Sequence, residues 1–335
     1  MNAPFRAALS LLVALAFQAG QTYRIGTIEF FGHKGIDVAA LRGKLPIHEG
    51  DGYQEAAMKR VRQAVLSATG LEPTDVNVTC CDRGGQMLVY IGLPGASYRP
   101  FAYNPTPGGA ARLSPAIVDI EVRFGEAIQA AVRKGGDAPS EDDSRGYALQ
   151  KDPAVRALQL AMRRYALAHD EELLRTLASA GDVEQRRVAS EVLGYARQSR
   201  RQVDALVRAA RDPDDEVRNN ATRALGVLAR SHAAVARDIP PETFIEMVSA
   251  GMWTDRNKGA MLLEQLTAAR HQALLAKLRA EALDSLVEMA EWRESGHAYF
   301  ARMIVGRIAG IPEAQLQRLA ADGPVSTIIG ALNHR

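Results

Sequence analysis

Polar and apolar positions alternate with a period of two only near the start of the chain. Across residues 23–31, Ile25, Thr27, Glu29 and Phe31 fall on one side and Ile28 and Phe30 on the other, and Gly32 ends the run. This pattern predicts a strand with one buried face. Residues 36–45 place Val38, Leu41 and Leu45 on one helical stripe that Pro46 stops. A second helix follows Asp51-Gly52, with Ala57, Val61, Ala64, Val65 and Ala68 at helical spacing and Gly70 as its terminator. Residues 75–81 alternate again, Val76, Val78 and Cys80 against Asn77, Thr79 and Cys81. A turn at residues 82–85 then leads into a strand over residues 86–92. The expected order is strand, helix, helix, strand, strand.

Five prolines between positions 94 and 115, with Gly108-Gly109 among them, mark an extended, exposed linker. Ser114-Pro115 opens a helix whose stripe of Ile117, Ile120, Phe124, Ala127, Ile128 and Ala131 continues to Val132, which favours helix over a strand across residues 117–124. Gly135-Gly136 ends it, and the acidic residues 140–144 are expected to be a solvated connector. Beyond residue 150 the pattern is helical throughout and repeats. Asp152, Asp182 and Asp212 recur every 30 residues, each expected to cap a helix that a second helix follows. Weaker copies cover residues 255–292 and 295–321. Leu193-Gly194, Leu225-Gly226 and Val305-Gly306 are expected points of close packing late in the first helix of a unit.

Composition agrees with this division. The chain has 335 residues, 47% of them hydrophobic but only 6% aromatic, and 56 alanines supply much of the apolar fraction. A mainly helical protein is expected. With 41 basic and 39 acidic residues the net charge is +2, which gives no case for a nucleic-acid partner. Residues 1–20 carry one positive residue, Arg6, an apolar run over residues 7–17 and small residues at Ala14, Ala16, Ala19 and Gly20. This is a secretory signal pattern, too short for a comfortable membrane span. An amphipathic first helix is the alternative, but no polar residue interrupts residues 11–17. The expected location is therefore periplasmic or secreted.

The first module, with Ile28-Glu29-Phe30-Phe31-Gly32, then Leu41, Leu45 and Gly50, resembles the POTRA domain of outer-membrane assembly and secretion proteins. That resemblance covers about 70 residues and implies polypeptide binding by strand addition to a sheet edge, here Val76, Asn77, Val78, Thr79, Cys80 and Cys81. POTRA domains usually precede a β-barrel, whereas the sequence that follows here is helical. The block with Asp212-Pro213, Val217-Arg218, Ala221, Ala224-Leu225-Gly226 and Leu228-Ala229 is similar to a HEAT repeat of the short bacterial type. An array of such units implies a solenoid whose second helices line a concave face, where Arg200, Arg201 and Arg208 would form a basic contact patch. The competing expectation pairs these arginines with Glu171, Asp204 or Glu216 in solvent.

The expected organisation is a signal at residues 1–20, a POTRA-like β-α-α-β-β domain at 22–95 and a linker at 96–113. A bridging helix and acidic loop follow at 114–149, a HEAT-like α-α solenoid at 150–322 and a tail at 323–335. On a strand, adjacent Cys80 and Cys81 would point to opposite faces, so Cys80 is expected in the core and Cys81 exposed, without a bond between them. No metal is expected, because none of the seven histidines stands at ligand spacing from this pair. No cofactor is expected either. The sequence contains no phosphate-binding glycine loop, serine elbow, paired helical histidines or spaced cysteine pairs. The expectation is a non-enzymatic interaction scaffold with a protein or peptide partner in the cell envelope. The alternative is an enzyme or enzyme-activating subunit that uses the concave face, since similar repeats occur in bilin-attaching lyases.

Overall fold

The computed structural model describes residues 23–82, 84–134 and 140–334. The expected signal, residues 1–20, lies outside them, as do Gly135 and Gly136. In chain order the elements begin with β1 (Ile25–Phe31), α1 (Val38–Arg42), α2 (Glu55–Thr69), β2 (Asp75–Thr79) and β3 (Met87–Gly92). Next come α3 (Pro115–Lys134), a two-residue hairpin β4 (Glu141–Asp142) and β5 (Leu149–Gln150), then α4 (Pro153–Ala168), α5 (Asp170–Ser179), α6 (Val183–Leu193) and α7 (Arg200–Ala209). The chain continues through α8 (Asp215–Ser231), α9 (Ala233–Asp238), α10 (Glu242–Met247), α11 (Trp253–Leu266) and α12 (Gln272–Glu281). It ends with α13 (Leu283–Ala290), α14 (Ser295–Ile308), α15 (Glu313–Asp322) and α16 (Val325–Gly330). The protein is mainly helical with a small sheet near its N-terminus.

Contacts divide the described chain into two compact units, one formed by residues 102–243 and the other joining residues 23–101 with residues 244–334. This division falls elsewhere than the sequence blocks, because the helices after residue 243 share a unit with the sheet. Residues 323–335, read as a tail, include α16, whose Ile328 is fully buried. The second helix expected over residues 272–292 is interrupted at Ala282, giving α12 and α13.

In the discontinuous unit, the sheet order is β1-β3-β2, with β1 parallel and β2 antiparallel to β3. One face carries Ile28, Phe30, Val89 and Ile91 against Leu41, Leu45, Val61 and Val65, with Val76 and Val78 packed at its margin. The other face is also covered, so the expectation of one buried face is corrected: Phe31, Leu88 and Tyr90 are at most 1% exposed. Tyr90 stacks on Trp253 at 4.9 Å between ring centroids and meets Trp292 edge-on at 5.0 Å. Its hydroxyl shares a hydrogen bond of 2.6 Å with Nδ1 of His297. The lack of alternation in β3 hides this second face, since all six residues, Met87–Gly92, are buried and a continuous apolar run reads as a strand without showing what covers it.

A buried carboxylate ties the loop after β1 to α13. Glu288 accepts from the backbone N–H groups of Gly32 at 2.7 Å and of His33 and Lys34 at 3.0 Å each, and from the Ser97 hydroxyl at 2.5 Å. Gly32 has φ of +70°, and a side chain there would collide with the Leu93 carbonyl, so glycine is required. Arg256, fully buried, lies 3.6 Å from Glu288 and donates to the carbonyls of Ser249 and Ala250. Burial lowers the Arg256 pKa to about 10 despite that neighbour.

In the continuous unit, α4, α6 and α8 stack as one row and α5 and α7 as another, the two-row build of a helical solenoid. Asp152 and Asp182 cap α4 and α6 as expected, accepting from Ala154 and Glu184 respectively. Asp212 does not cap its helix. Asp214 does, accepting from Val217, while buried Asp212 forms a two-bond ion pair with buried Arg186 at 2.8 and 3.0 Å. The two inserted positions preserve the geometry around each cap. Arg186 and Arg218 both follow their caps by four residues, and each turns back to donate to two carbonyls of the preceding loop. The acidic residues 140–144 are not merely solvated: Glu141 pairs with Arg223 and Asp143 with Arg230, docking the hairpin loop on α8. At Gly194 an added Cβ would stand 3.0 Å from Ala224, and at Gly306 it would collide with Leu316, consistent with close packing.

Candidate functional site

The two edges of the sheet differ. On the outer side of β1, Ile25 N–H donates to the Asp51 carbonyl and Gly50 N–H to the Ile25 carbonyl, at 2.9 and 2.7 Å. Further along, Ile28 N–H donates to Glu49 at 3.0 Å, while Arg293 reaches the Ile28 carbonyl at 3.0 Å and the Trp292 indole the Phe30 carbonyl at 3.2 Å. Arg293 also pairs with Glu29 and Glu49, and its hydrogen bond is the main cause that holds the Glu49 carboxyl below its ordinary value. That edge is closed.

The β2 edge is arranged otherwise. Leu93 N–H donates to Phe31 and Thr74 N–H to Gly92, so alternate residues of β3 serve the two neighbours and Leu88, Tyr90 and Gly92 face β2. The backbone groups of Val76 and Val78 therefore point outward, and among the described residues no hydrogen bond reaches them. Their side chains are anchored in the core against α1 and α2, while Asn77 lies on the opposite face with its Oδ1 buried and, among the described residues, without a hydrogen-bond partner. Asp75 accepts from the Trp253 backbone at 2.9 Å, fixing the start of the strand. β2 ends at Thr79, two residues short of its expected end, so the rule of opposite faces does not govern the cysteines. Cys80 and Cys81 are joined as a disulfide between neighbours, and both are half-buried. The expectation of one core thiol and one exposed thiol is corrected.

The second candidate surface lies on α5 and α7. Glu171, Leu174, Arg175, Arg201, Asp204 and Arg208 line an open groove of about 320 Å³. Arg201 makes two contacts with Glu171, the longer at 2.8 Å, and Arg200 donates to Asp204 at 2.8 Å. The Arg201 hydrogen bond draws the Glu171 carboxyl below its ordinary value. Glu216 is engaged elsewhere, with Arg187 at 3.3 Å. Thus Arg200 and Arg201 are paired as the competing expectation proposed, whereas among the described residues no carboxylate pairs with Arg208. Arg175 and Leu174 also line the groove, unexpected from the sequence. For Leu174 the repeat held a signal, since the 30-residue offset that relates Glu171 to Arg201 also relates Leu174 to Asp204; Arg175 falls opposite Ala205, outside the lining, and had none.

The linker crosses the C-terminal ends of the same helices. Asn104 donates from its backbone to the Arg211 carbonyl at 2.7 Å and from its side chain to the Arg208 carbonyl at 3.0 Å, and Gly109 donates to Ser179 at 2.8 Å. It is extended and largely exposed, as predicted, but it is bound along its length.

No protein-family model matches the chain, and no curated protein matches it. Among solved structures, an engineered protein aligns over 66% of this chain and 96% of its own, with 16% identity and a TM-score of 0.40. An armadillo repeat protein computationally designed for modular peptide recognition covers 66% of this chain and 98% of its own, at 17% identity and a TM-score of 0.39. A designed armadillo repeat protein in complex with the peptide (KR)4 covers 59% and 99%, at 13% identity and a TM-score of 0.37. Similarity at this level says nothing about what this chain binds. Among the described residues, no helix is long and apolar enough to cross a membrane.

Proposed function

We propose that the protein is a non-enzymatic scaffold that binds polypeptide, by strand addition to β2 and through the α5/α7 face, and that residues 1–20 export it to the periplasm or beyond. The observation that carries this reading is the difference between the sheet edges. The outer backbone groups of β1 are occupied by Glu49, Asp51, Trp292 and Arg293, whereas those of Val76 and Val78 have no partner among the described residues. Backbone hydrogen bonds to an added strand would satisfy them, with the partner's alternate side chains supplying specificity. The β-α-α-β-β order and the strand order with β2 at an edge support the POTRA-like reading of this module.

The test is affinity capture from an envelope extract, comparing the wild-type chain with Val78→Pro. Proline removes an outward N–H and leaves the bonds to β3 in place. The reading predicts a reproducible partner that Val78→Pro loses while circular dichroism of the variant is unchanged. Capture unaffected by Val78→Pro removes strand addition, and recovery of the chain only from the cytoplasm on fractionation removes export.

A further inference from the structure

We infer that the α5/α7 groove takes an extended peptide in which acidic residues alternate with aliphatic ones. This rests on the reading of that face as a binding surface and names its partner's chemistry. Arg175, Arg201 and Arg208 line the groove with Glu171 and Asp204, and Arg200 stands beside it at the start of α7. Glu171 is committed to Arg201 and Asp204 to Arg200. Arg175, on α5, and Arg208, on α7, are exposed and line the groove; among the described residues neither makes a close ion pair, and Arg175 acts on Glu171 only through space. A guanidinium offers two parallel donors to a carboxylate, so each is an open receptor for an acidic side chain. Leu174 lines the same groove and gives an aliphatic side chain its contact.

The path of the ligand is drawn by the chain itself. Its linker runs in extended form from the end of α7, at Arg208 and Arg211, to the end of α5, at Ser179. Beneath it a second groove of about 150 Å³ is lined by Pro105, Pro107, Leu177, Ala205 and Arg208. Arg208 lines both grooves, and Arg175 stands one helical turn before Ser179. An extended peptide lying one turn from the linker, and crossing the same pair of helices, therefore meets Arg208, Leu174 and Arg175. The exposed pair between Arg201 and Glu171 contributes little to folding, so a ligand carboxylate can exchange with Glu171 at small cost.

The experiment is fluorescence anisotropy with the full chain and two labelled synthetic octapeptides, one alternating Glu and Leu, the other Lys and Leu, at low and physiological salt. The Glu peptide is expected to bind, more weakly as salt rises. Arg175→Glu with Arg208→Glu is expected to weaken it roughly tenfold or more, the loss of charge-assisted contacts, while Lys59→Glu, a charge reversal on the exposed side of α2, leaves it within about twofold, as expected for a change outside the contact. Equal or tighter binding of the Lys peptide, or Glu-peptide binding indifferent to the double reversal, overturns the inference. If the Lys peptide alone binds, and Leu174→Asp abolishes that binding, the acidic partner falls while the groove stands as a binding surface. If neither peptide binds, the groove falls too, and strand addition at β2 remains to be judged by its own test.

Discussion

Glu288 does two jobs that a hydrophobic residue could not share. It satisfies three consecutive N–H groups and a hydroxyl, and it is the charge opposite fully buried Arg256. Glu288→Gln keeps the shape but sets an amide donor against donors and removes the counter-charge. Breaking a buried pair from one side costs about 3 kcal/mol or more, so urea unfolding followed by tryptophan fluorescence is expected to show a loss of that size. His297 supplies a pH signature. Burial, with a smaller contribution from nearby Lys258, lowers its pKa to about 3, against about 6.5 in an unfolded chain. Between these values the unfolded state binds the proton and the folded state does not. The stability linked to His297 is therefore complete above about pH 6.5 and falls as pH drops toward 3, by roughly 1.4 kcal/mol per pH unit. His297→Gln should flatten the dependence of the urea midpoint between pH 7 and pH 5, and an unchanged slope would contradict the buried neutral imidazole. Neither residue was legible in the sequence, since a lone glutamate and a lone histidine on helices carry no local pattern.

The elements themselves were largely legible, because they rest on local chemistry. β1, β3, α2 with its left-handed Gly70 and α3 opened by Ser114-Pro115 all follow from period, cap and stop. The misjudged points are those where tertiary contacts decide. Asp212 looks in sequence like the other repeat aspartates, yet two inserted residues hand the cap to Asp214 and free Asp212 to join Arg186 across the repeat boundary. Substitution separates the roles. Asp182→Ala removes a cap and an exposed contact with Arg112, worth about 1 kcal/mol. Asp212→Ala strands a buried guanidinium and is expected to cost about 3 kcal/mol or more. Thermal unfolding of the two variants side by side checks the order, and equal losses would show that Asp212 is an ordinary cap. The β2 edge was legible as an edge from strand order, but its length was not. The alternation continues through Cys81, whereas the ladder with Leu88 ends at Thr79.

For the whole molecule, chain order misleads about which parts fold together. The sequence places a complete small domain before residue 95, and its α1/α2 core is where the pattern puts it. What the pattern cannot show is that the opposite face is covered by residues more than 150 positions later: Tyr90 by Trp253, Trp292 and His297, and Phe31 by Arg256. A fragment of residues 23–101 would expose that face. It is expected to bind a hydrophobic dye and to lack cooperative unfolding, and co-expression with residues 244–335 should restore a soluble complex. A fragment that unfolds cooperatively alone would mean that the sheet does not need its cover.

Under the proposed function, strand addition at the β2 edge is how the sheet meets its partner. Amide hydrogen exchange of the full chain, free and in the captured complex, tests this most directly. In the free protein the outer amides of β1, such as Ile28, should be protected and those of Val76 and Val78 should exchange fast; in the complex Val76 and Val78 should become protected while Ile28 is unchanged. Fast exchange at Val76 and Val78 in the complex, or protection there already in the free chain, would contradict the account.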